Sequence, residues 1–241
     1  MQDVSSAAML APTGRLRAVI NLGNRVLAHR DDETGELSGV TVDLARALAD
    51  ELGVPLDLHP VIKTPAAVEA ISQEAVDVGF CAIDPKRAAG IVFSPAYVLI
   101  EGGYLVREDS PLRANEEVDR PETHVVVGQG SAYDLFLTRH LQQATLVRTA
   151  TSQQVVDEFL AGGHDVAAGV RQQLQADAQR VGGVRLLPGR FMVIEQAMGI
   201  PASRPAAAVT ALAHYIERQK KSGFIADALA RHGIQGASVA P

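Results

Sequence analysis

The chain has a single cysteine, and this scarcity excludes several kinds of site. Cys81 has no partner for an internal disulfide. No matching set of histidine and aspartate is recognisable near it, so the sequence predicts no cysteine nucleophile and no catalytic residue. The seven histidines show no metal-like spacing. We therefore predict neither a metal site nor another cofactor.

The chain also lacks an excess of basic residues and long apolar runs. Its net charge is -6, and four of its 22 basic residues are lysines, which argues against nucleic acid as a partner. No run of about 18 apolar residues occurs, so no membrane span is expected. A hydrophobic content of 47% with 21% charged residues is typical of a soluble globular protein. The first ten residues do not read as a secretory signal. Either the chain is cytoplasmic or a leader has been removed, and both alternatives stay open.

Strand and helix patterns alternate along the sequence, which predicts an α/β fold with mainly parallel sheets. Leu16–Ile20 and Leu56–Val61 are predicted strands, and Val42–Leu52 is a predicted helix with leucines four residues apart. Two extended apolar runs, Tyr97–Val106 and Phe191–Ile200, are each interrupted by polar residues. We interpret these runs as two crossings between a pair of lobes.

The segment from Asp77 to Tyr97 carries the most specific information. Val78–Ile83 is an apolar run typical of a buried strand, and Asp84-Pro85 ends it with a turn. Arg87 then falls where a short helix is expected to begin, beyond the carboxyl end of the strand. Ligands of open α/β sheets bind at such strand ends, and a guanidinium matches the geometry of a carboxylate. The alternative is an ordinary surface arginine.

Several segments, in order, resemble motifs of the bacterial solute-binding proteins of family 3, which are polar amino-acid receptors of uptake systems. The segments that carry this resemblance are Leu16–Ile20, Gly35–Ala45, Ile83–Arg87 with Val92–Tyr97, Val125–Ser131 and Ser222–Ile225. The resemblance covers roughly residues 14–233. It implies a two-lobe periplasmic binding protein-like fold of type II with two hinge crossings. Lobe 1 would hold residues 14–100 and 197–236, lobe 2 residues 101–196, and residues 1–13 and 237–241 would be tails.

The resemblance also implies a ligand site. Arg87 matches the arginine that grips the ligand carboxylate in the family, and Ala82 stands where the family has a hydroxyl-bearing ligand residue. Asn21 and Asn24 follow the first strand, where polar and aromatic pocket residues occur, although turn hydrogen bonds explain them equally well. Two further pairs complete the predicted site: Gly130 with Ser131 at a helix N-terminus, and Glu195 with Gln196 in the second crossing.

One departure from the family concerns the ligand's ammonium group. The family usually places an aspartate where this chain has Val170, and valine cannot pair with a buried ammonium. The expected ligand is therefore a small carboxylate, either an amino acid or an amine-free organic acid.

The resemblance implies a monomeric, periplasmic solute-binding protein that closes two lobes around its ligand for an ABC transporter permease. Two alternatives stay open: a lyase of the cyclohexadienyl dehydratase type, with Glu195 or Glu101 as general acid, and a cytoplasmic ligand sensor.

Overall fold

A computed structural model describes residues 6–241. In chain order its strands are β1 (Leu16–Asn21), β2 (His29–Arg30), β3 (Leu37–Ser38), β4 (Leu56–Val61), β5 (Val78–Ala82), β6 (Ile91–Arg107), β7 (His124–Gly128), β8 (Thr145–Thr149), β9 (Val166–Val170), β10 (Val184–Leu186), β11 (Met192–Pro201) and β12 (Ser238–Val239). Its helices are α1 (Ser6–Leu10), α2 (Val40–Leu52), α3 (Thr64–Ser72), α4 (Ala132–His140), α5 (Val155–Ala161), α6 (Arg171–Val181), α7 (Ala206–Lys221) and α8 (Phe224–Arg231), with 3₁₀ turns at Asn115–Glu117 and Ser152–Gln154.

The chain divides into two compact units. The first contains the chain up to Leu99 together with Glu195–Pro241, and the second is Ile100–Ile194. The boundaries fall inside β6 and β11, so each of these strands runs from one unit into the other. The mixed α/β fold expected from the sequence is confirmed.

In the first unit, β4, β1, β5 and β11 lie side by side in that order. β1 is parallel to both β4 and β5, whereas β11 runs antiparallel to β5. The β5 strand is buried along its whole length, but it ends at Ala82, and Ile83, which the sequence analysis included in the buried run, lies outside it and is exposed. A Cβ on Gly79 would stand 2.5 Å from the side chains of both Val19 and Ile71, so glycine allows α3 to pack closely on this part of the sheet.

In the second unit, the end of β6 pairs antiparallel with β9, and β7 lies between β9 and β8 in parallel register. Alternate residues of β7 enter two different cores. Val125 and Val127 join one with Tyr104, whereas Val126 joins the other with Phe159. This alternation shows that helices and loops cover both faces of the sheet, as parallel strands require.

Short elements occur in both segments that the sequence analysis assigned to tails. Residues 1–5 lie outside the described residues, and α1 follows them and buries Leu10. At the other end, Ser238–Val239 form β12 beside the first half of β6. The Ala240 N–H donates to the Tyr97 carbonyl at 3.1 Å, and the Lys220 ammonium donates to the Pro241 carbonyl at 2.7 Å. These hydrogen bonds hold the C-terminal segment in place, because they pair its backbone groups with distant parts of the chain. Such long-range pairing cannot be seen in a five-residue sequence pattern.

Candidate functional site

Several predicted site residues meet at one edge of the first unit. Because β4, β1 and β5 are parallel neighbours, their carboxyl ends lie at the same edge, where Asn21 and Ala82 are the last residues of β1 and β5. The antiparallel β11 brings Gln196 opposite Ala82, and the Ile83 N–H donates to the Glu195 carbonyl at 2.9 Å. We call this the carboxyl edge of the first unit.

The turn after β5 is not the short helix that the sequence suggested. Asp84 is buried, and its carboxylate accepts a hydrogen bond from the Lys86 N–H at 2.8 Å. Its carbonyl accepts from the N–H groups of Arg87 and Ala88, and the Arg87 carbonyl accepts from Ile91. This bonding produces successive tight turns, and the Asp84 carboxylate caps the first of them.

Arg87 is buried at this edge rather than exposed. Only 4% of the surface of this residue is accessible to solvent. One guanidinium nitrogen donates a hydrogen bond to the Ala82 carbonyl at 2.7 Å. The guanidinium also lies beside the thiol of Cys81, where burial raises the pKa of Cys81 and the nearby arginine partly opposes that rise. The guanidinium therefore has a fixed position at the end of β5, with five N–H donors in a planar fork.

The two asparagines after β1 have different surroundings. The Asn21 side chain donates to the Thr64 hydroxyl at 3.1 Å and accepts from the Gly23 N–H at 3.0 Å, which is the turn-forming role that the sequence left open. The amide oxygen of Asn24 is buried and has no hydrogen-bond donor among residues 6–241. A buried acceptor without a donor is unfavourable, so Asn24 is the asparagine that would gain from a ligand hydrogen bond.

The polar residues of the two crossings, Glu101, Glu195 and Gln196, differ in burial and in their partners. Gln196 is buried, whereas Glu195 is exposed at the carboxyl edge. In the second unit, Glu101, the other residue named as a possible general acid, forms an ion pair with Arg190 at 2.6 Å. Val170 packs against the apolar core of the second unit. It therefore offers no partner for a charged group.

The predicted helix N-terminus in the second unit already carries an acidic side chain. Ser131 accepts a hydrogen bond from the Asp134 N–H at 3.0 Å, and the Asp134 carboxylate accepts from the Gly130 N–H at 2.8 Å. Arg148 donates to the same carboxylate at 2.9 Å. This reciprocal arrangement is a helix cap. It accounts for Gly130 and Ser131 without a ligand, and their role in binding stays a prediction.

The sequence interpretation did not single out the other side chains at the carboxyl edge. Ile62 and Ile83 directly follow β4 and β5, and both are exposed, at 58% and 39% of their surface. Arg25, Lys63 and Lys86 lie in the same three loops and are also exposed. An apolar or basic residue immediately after a predicted parallel strand is the signal that would have found them.

Within residues 6–241, no helix is both long and apolar enough to cross a membrane. Over the same residues, no cluster of three or more histidine, cysteine or acidic side chains is arranged to hold a metal ion.

Comparison with solved structures identifies the fold. A solute receptor for L-cysteine from Neisseria gonorrhoeae is similar with a TM-score of 0.81 and 19% identity, covering 97% of this chain and 96% of that one. An amino acid ABC transporter substrate-binding protein from Streptococcus pneumoniae, bound to L-arginine, gives 0.78 and 16%, covering 94% and 98%. An ancestral amino acid-binding protein, a precursor of cyclohexadienyl dehydratase, gives 0.79 and 20%, covering 96% and 100%. These likenesses show the type II periplasmic binding protein fold.

Sequence comparison identifies the family. No curated protein sequence matches the chain at a significant level. The profile of the bacterial extracellular solute-binding proteins, family 3, matches residues 19–233, which is most of the chain. Together with the fold, this match shows that the chain belongs to family 3 of the bacterial extracellular solute-binding proteins.

Proposed function

We propose that the chain is a solute-binding protein for a small carboxylate-bearing ligand, an amino acid or an amine-free organic acid, and performs no chemistry on it. The observation that carries this proposal is the buried Arg87 guanidinium at the carboxyl end of β5, held by the Ala82 carbonyl. Ligands of open α/β sheets bind at this end of the strands. Membership of family 3 supports the same reading.

The surroundings of Arg87 suit recognition of a carboxylate. A guanidinium forms charge-assisted, often bidentate hydrogen bonds with a carboxylate, and these are about twice as strong as neutral ones. Because the side chain is already held, binding would require little loss of its conformational freedom. Asn24, with its unpaired buried oxygen, would accept a hydrogen bond from a hydroxyl or ammonium group of the same ligand.

The wider role follows from the family and is part of the proposal. The two lobes would close around the ligand, and the loaded, monomeric protein would deliver it to the permease of an ABC transporter outside the cytoplasm. The S. pneumoniae protein with the same fold is such a transporter component.

A lyase is the second candidate, and one observation favours it. Glu195 is an exposed carboxylic acid at the carboxyl edge, and its backbone is fixed by the hydrogen bond with Ile83. A lyase needs a general acid within reach of the leaving group. The similarity to the precursor of a dehydratase keeps this chemistry in view.

A thermal-shift screen followed by a turnover assay separates the two candidates. The panel contains amino acids, keto acids, dicarboxylates and prephenate-like acids, and each hit is titrated by calorimetry and then tested for conversion. We expect at least one carboxylate to bind in a one-to-one complex and to be recovered unchanged. Conversion of a hit, lost in Glu195→Gln, would replace the binding-protein proposal with the lyase. Absence of any carboxylate ligand would contradict both.

A further inference from the structure

Exposed apolar side chains mark the carboxyl edge of the first unit. Among residues 6–241, the large hydrophobic side chains that stay exposed are those of Ile62, Ile83, Leu160 and Val193. Ile62 and Ile83 belong to the first unit, and each directly follows one of the strands that flank β1. Neighbouring strands are about 4.8 Å apart, so the ends of β4 and β5, from which the two isoleucines follow, are roughly 10 Å apart. This spacing suits the body of a small ligand.

The backbones of both isoleucines are fixed. The Leu22 N–H donates to the Val61 carbonyl at 2.8 Å, and a Cβ on Gly23 would stand only 2.5 Å from the Ile62 carbonyl oxygen, so the loops after β1 and β4 are in close contact. The Ile83 N–H is bonded to the Glu195 carbonyl. The apolar surface is therefore preformed, and covering it with a ligand removes apolar area from water without first ordering the backbone.

The charges around these isoleucines have mostly one sign. The segments 22–25, 62–64 and 83–87 contain four basic residues, Arg25, Lys63, Lys86 and Arg87, and one acidic residue, Asp84. Glu195, exposed at the same edge beside Ile83, adds a second carboxylate. Asp84 is buried, with its carboxylate bonded to the backbone of its own turn. Two of the four lysines of a chain with net charge -6 thus lie in loops at this one edge. A cationic ligand side chain would meet like charges here.

We propose that this edge selects a carboxylate whose body is apolar and carries no positive charge. This inference rests on the proposed function and specifies its substrate class. Arg87 takes the carboxylate, Ile62 and Ile83 cover the apolar body, and the surrounding cations disfavour a terminal ammonium. The chain would therefore differ in specificity from the structurally similar protein bound to L-arginine.

Calorimetric titration with two matched pairs of probes tests the proposal. Hexanoate is compared with 6-aminohexanoate, and L-norleucine with L-lysine, since each pair differs only by a terminal ammonium group. We expect the uncharged member of a pair to bind at least about tenfold more tightly than the cationic member, which is a difference of about 1.4 kcal/mol. The first pair has no α-amino group, so the outcome does not depend on how the protein treats that group.

Three variants locate the effect. Ile62→Asn should weaken hexanoate or norleucine binding by about tenfold, because it removes apolar surface from the contact. Leu160→Asn, which changes an exposed leucine of the second unit, is the matched control and should bind like the parent. Lys86→Glu should reduce the difference in affinity between the uncharged and the cationic member of each pair. Melting temperatures of all variants should stay close to that of the parent, because the changed side chains are exposed.

Three outcomes would overturn the inference. The first is tighter binding of lysine or 6-aminohexanoate than of the uncharged partner. The second is failure of both hexanoate and norleucine to bind at millimolar concentration. The third is an equal effect of Ile62→Asn and Leu160→Asn. If other carboxylates from the screen bind through Arg87 in these cases, the proposed function stands and only the apolar specificity is wrong.

Discussion

Removal of the buried carboxylate of Asp77 should destabilise the sheet that carries the candidate site. Asp77 directly precedes β5, and its side chain is completely buried. It accepts hydrogen bonds from the backbone N–H and the guanidinium of Arg17 in β1, at 2.8–3.0 Å. It also accepts from Arg204, just after β11, at 2.8 Å. One carboxylate therefore joins the three strands whose opposite ends form the carboxyl edge.

The magnitude follows from what each partner would lose. Breaking a buried ion pair from one side typically costs about 3–5 kcal/mol, because the partner charge stays buried. The Arg17 side chain is 26% exposed and can be partly rehydrated. The Arg204 side chain is 12% exposed, and within the described part of the chain its Nε has no hydrogen-bond acceptor. We expect Asp77→Ala to cost about 3 kcal/mol of unfolding free energy, at the lower end of that range. Asp77→Asn should lose less unfolding free energy, since its amide oxygen can still accept hydrogen bonds from the arginines.

Thermal and urea unfolding monitored by circular dichroism measure this effect. A loss of about 3 kcal/mol lowers the melting temperature of a protein of this size by roughly 6–12 °C. Asp57→Ala is the matched control, because Asp57 forms a two-point ion pair with Arg15 at 2.6 and 2.7 Å but is well exposed. Exposed pairs contribute little, so its melting temperature should barely change. Equal effects of the two substitutions would refute the argument from burial.

Three further predictions concern single side chains. Asn24→Leu should raise the melting temperature of the ligand-free protein, because it removes a buried acceptor that has no donor within residues 6–241. It should weaken the binding of a hydroxy acid more than that of the matching keto acid. An unchanged melting temperature would contradict this prediction. Backbone N–H groups of Ala144 and Gln142 lower the pKa of Asp119, so its contribution to stability is present above about pH 4 and is lost as the pH falls further. Asp119→Asn should therefore flatten the stability curve below pH 4 in acid unfolding. Finally, 2-hydroxyhexanoate should bind better than L-norleucine, and Val170→Asp should reverse this order in calorimetry.

The sequence predicted the elements with clear patterns, including the strands Leu16–Ile20 and Leu56–Val61, which the structure has at Leu16–Asn21 and Leu56–Val61. The fully apolar β5 and the leucine spacing of α2 identified both elements, and Gly53 ends α2 with a positive φ of 66° as expected for a C-terminal cap. The β8 strand, Thr145–Thr149, was missed because it has only two apolar residues, Leu146 and Val147, and these are adjacent and do not alternate with polar ones. The β12 strand depends on pairing with β6, which is distant in sequence.

The candidate site was predictable only where local sequence patterns determine it. Arg87 could be placed at the end of β5 from the apolar run and the turn signal alone, but its burial and its bond to Ala82 could not, because both depend on how the following turns fold back. The exposure of Ile62 and Ile83 depends on which strands become neighbours. Strand order is a long-range property that single-sequence patterns do not contain.

The most direct test of carboxylate recognition compares a ligand with its amide on two proteins. The best carboxylate from the screen and its carboxamide are titrated into the parent and into Arg87→Lys, which keeps the charge but not the planar fork. We predict that the parent favours the acid over the amide by about 30-fold or more, which is about 2 kcal/mol, and that the variant loses most of this preference. An unchanged preference in Arg87→Lys, with the protein folded, would show that Arg87 does not hold the carboxylate.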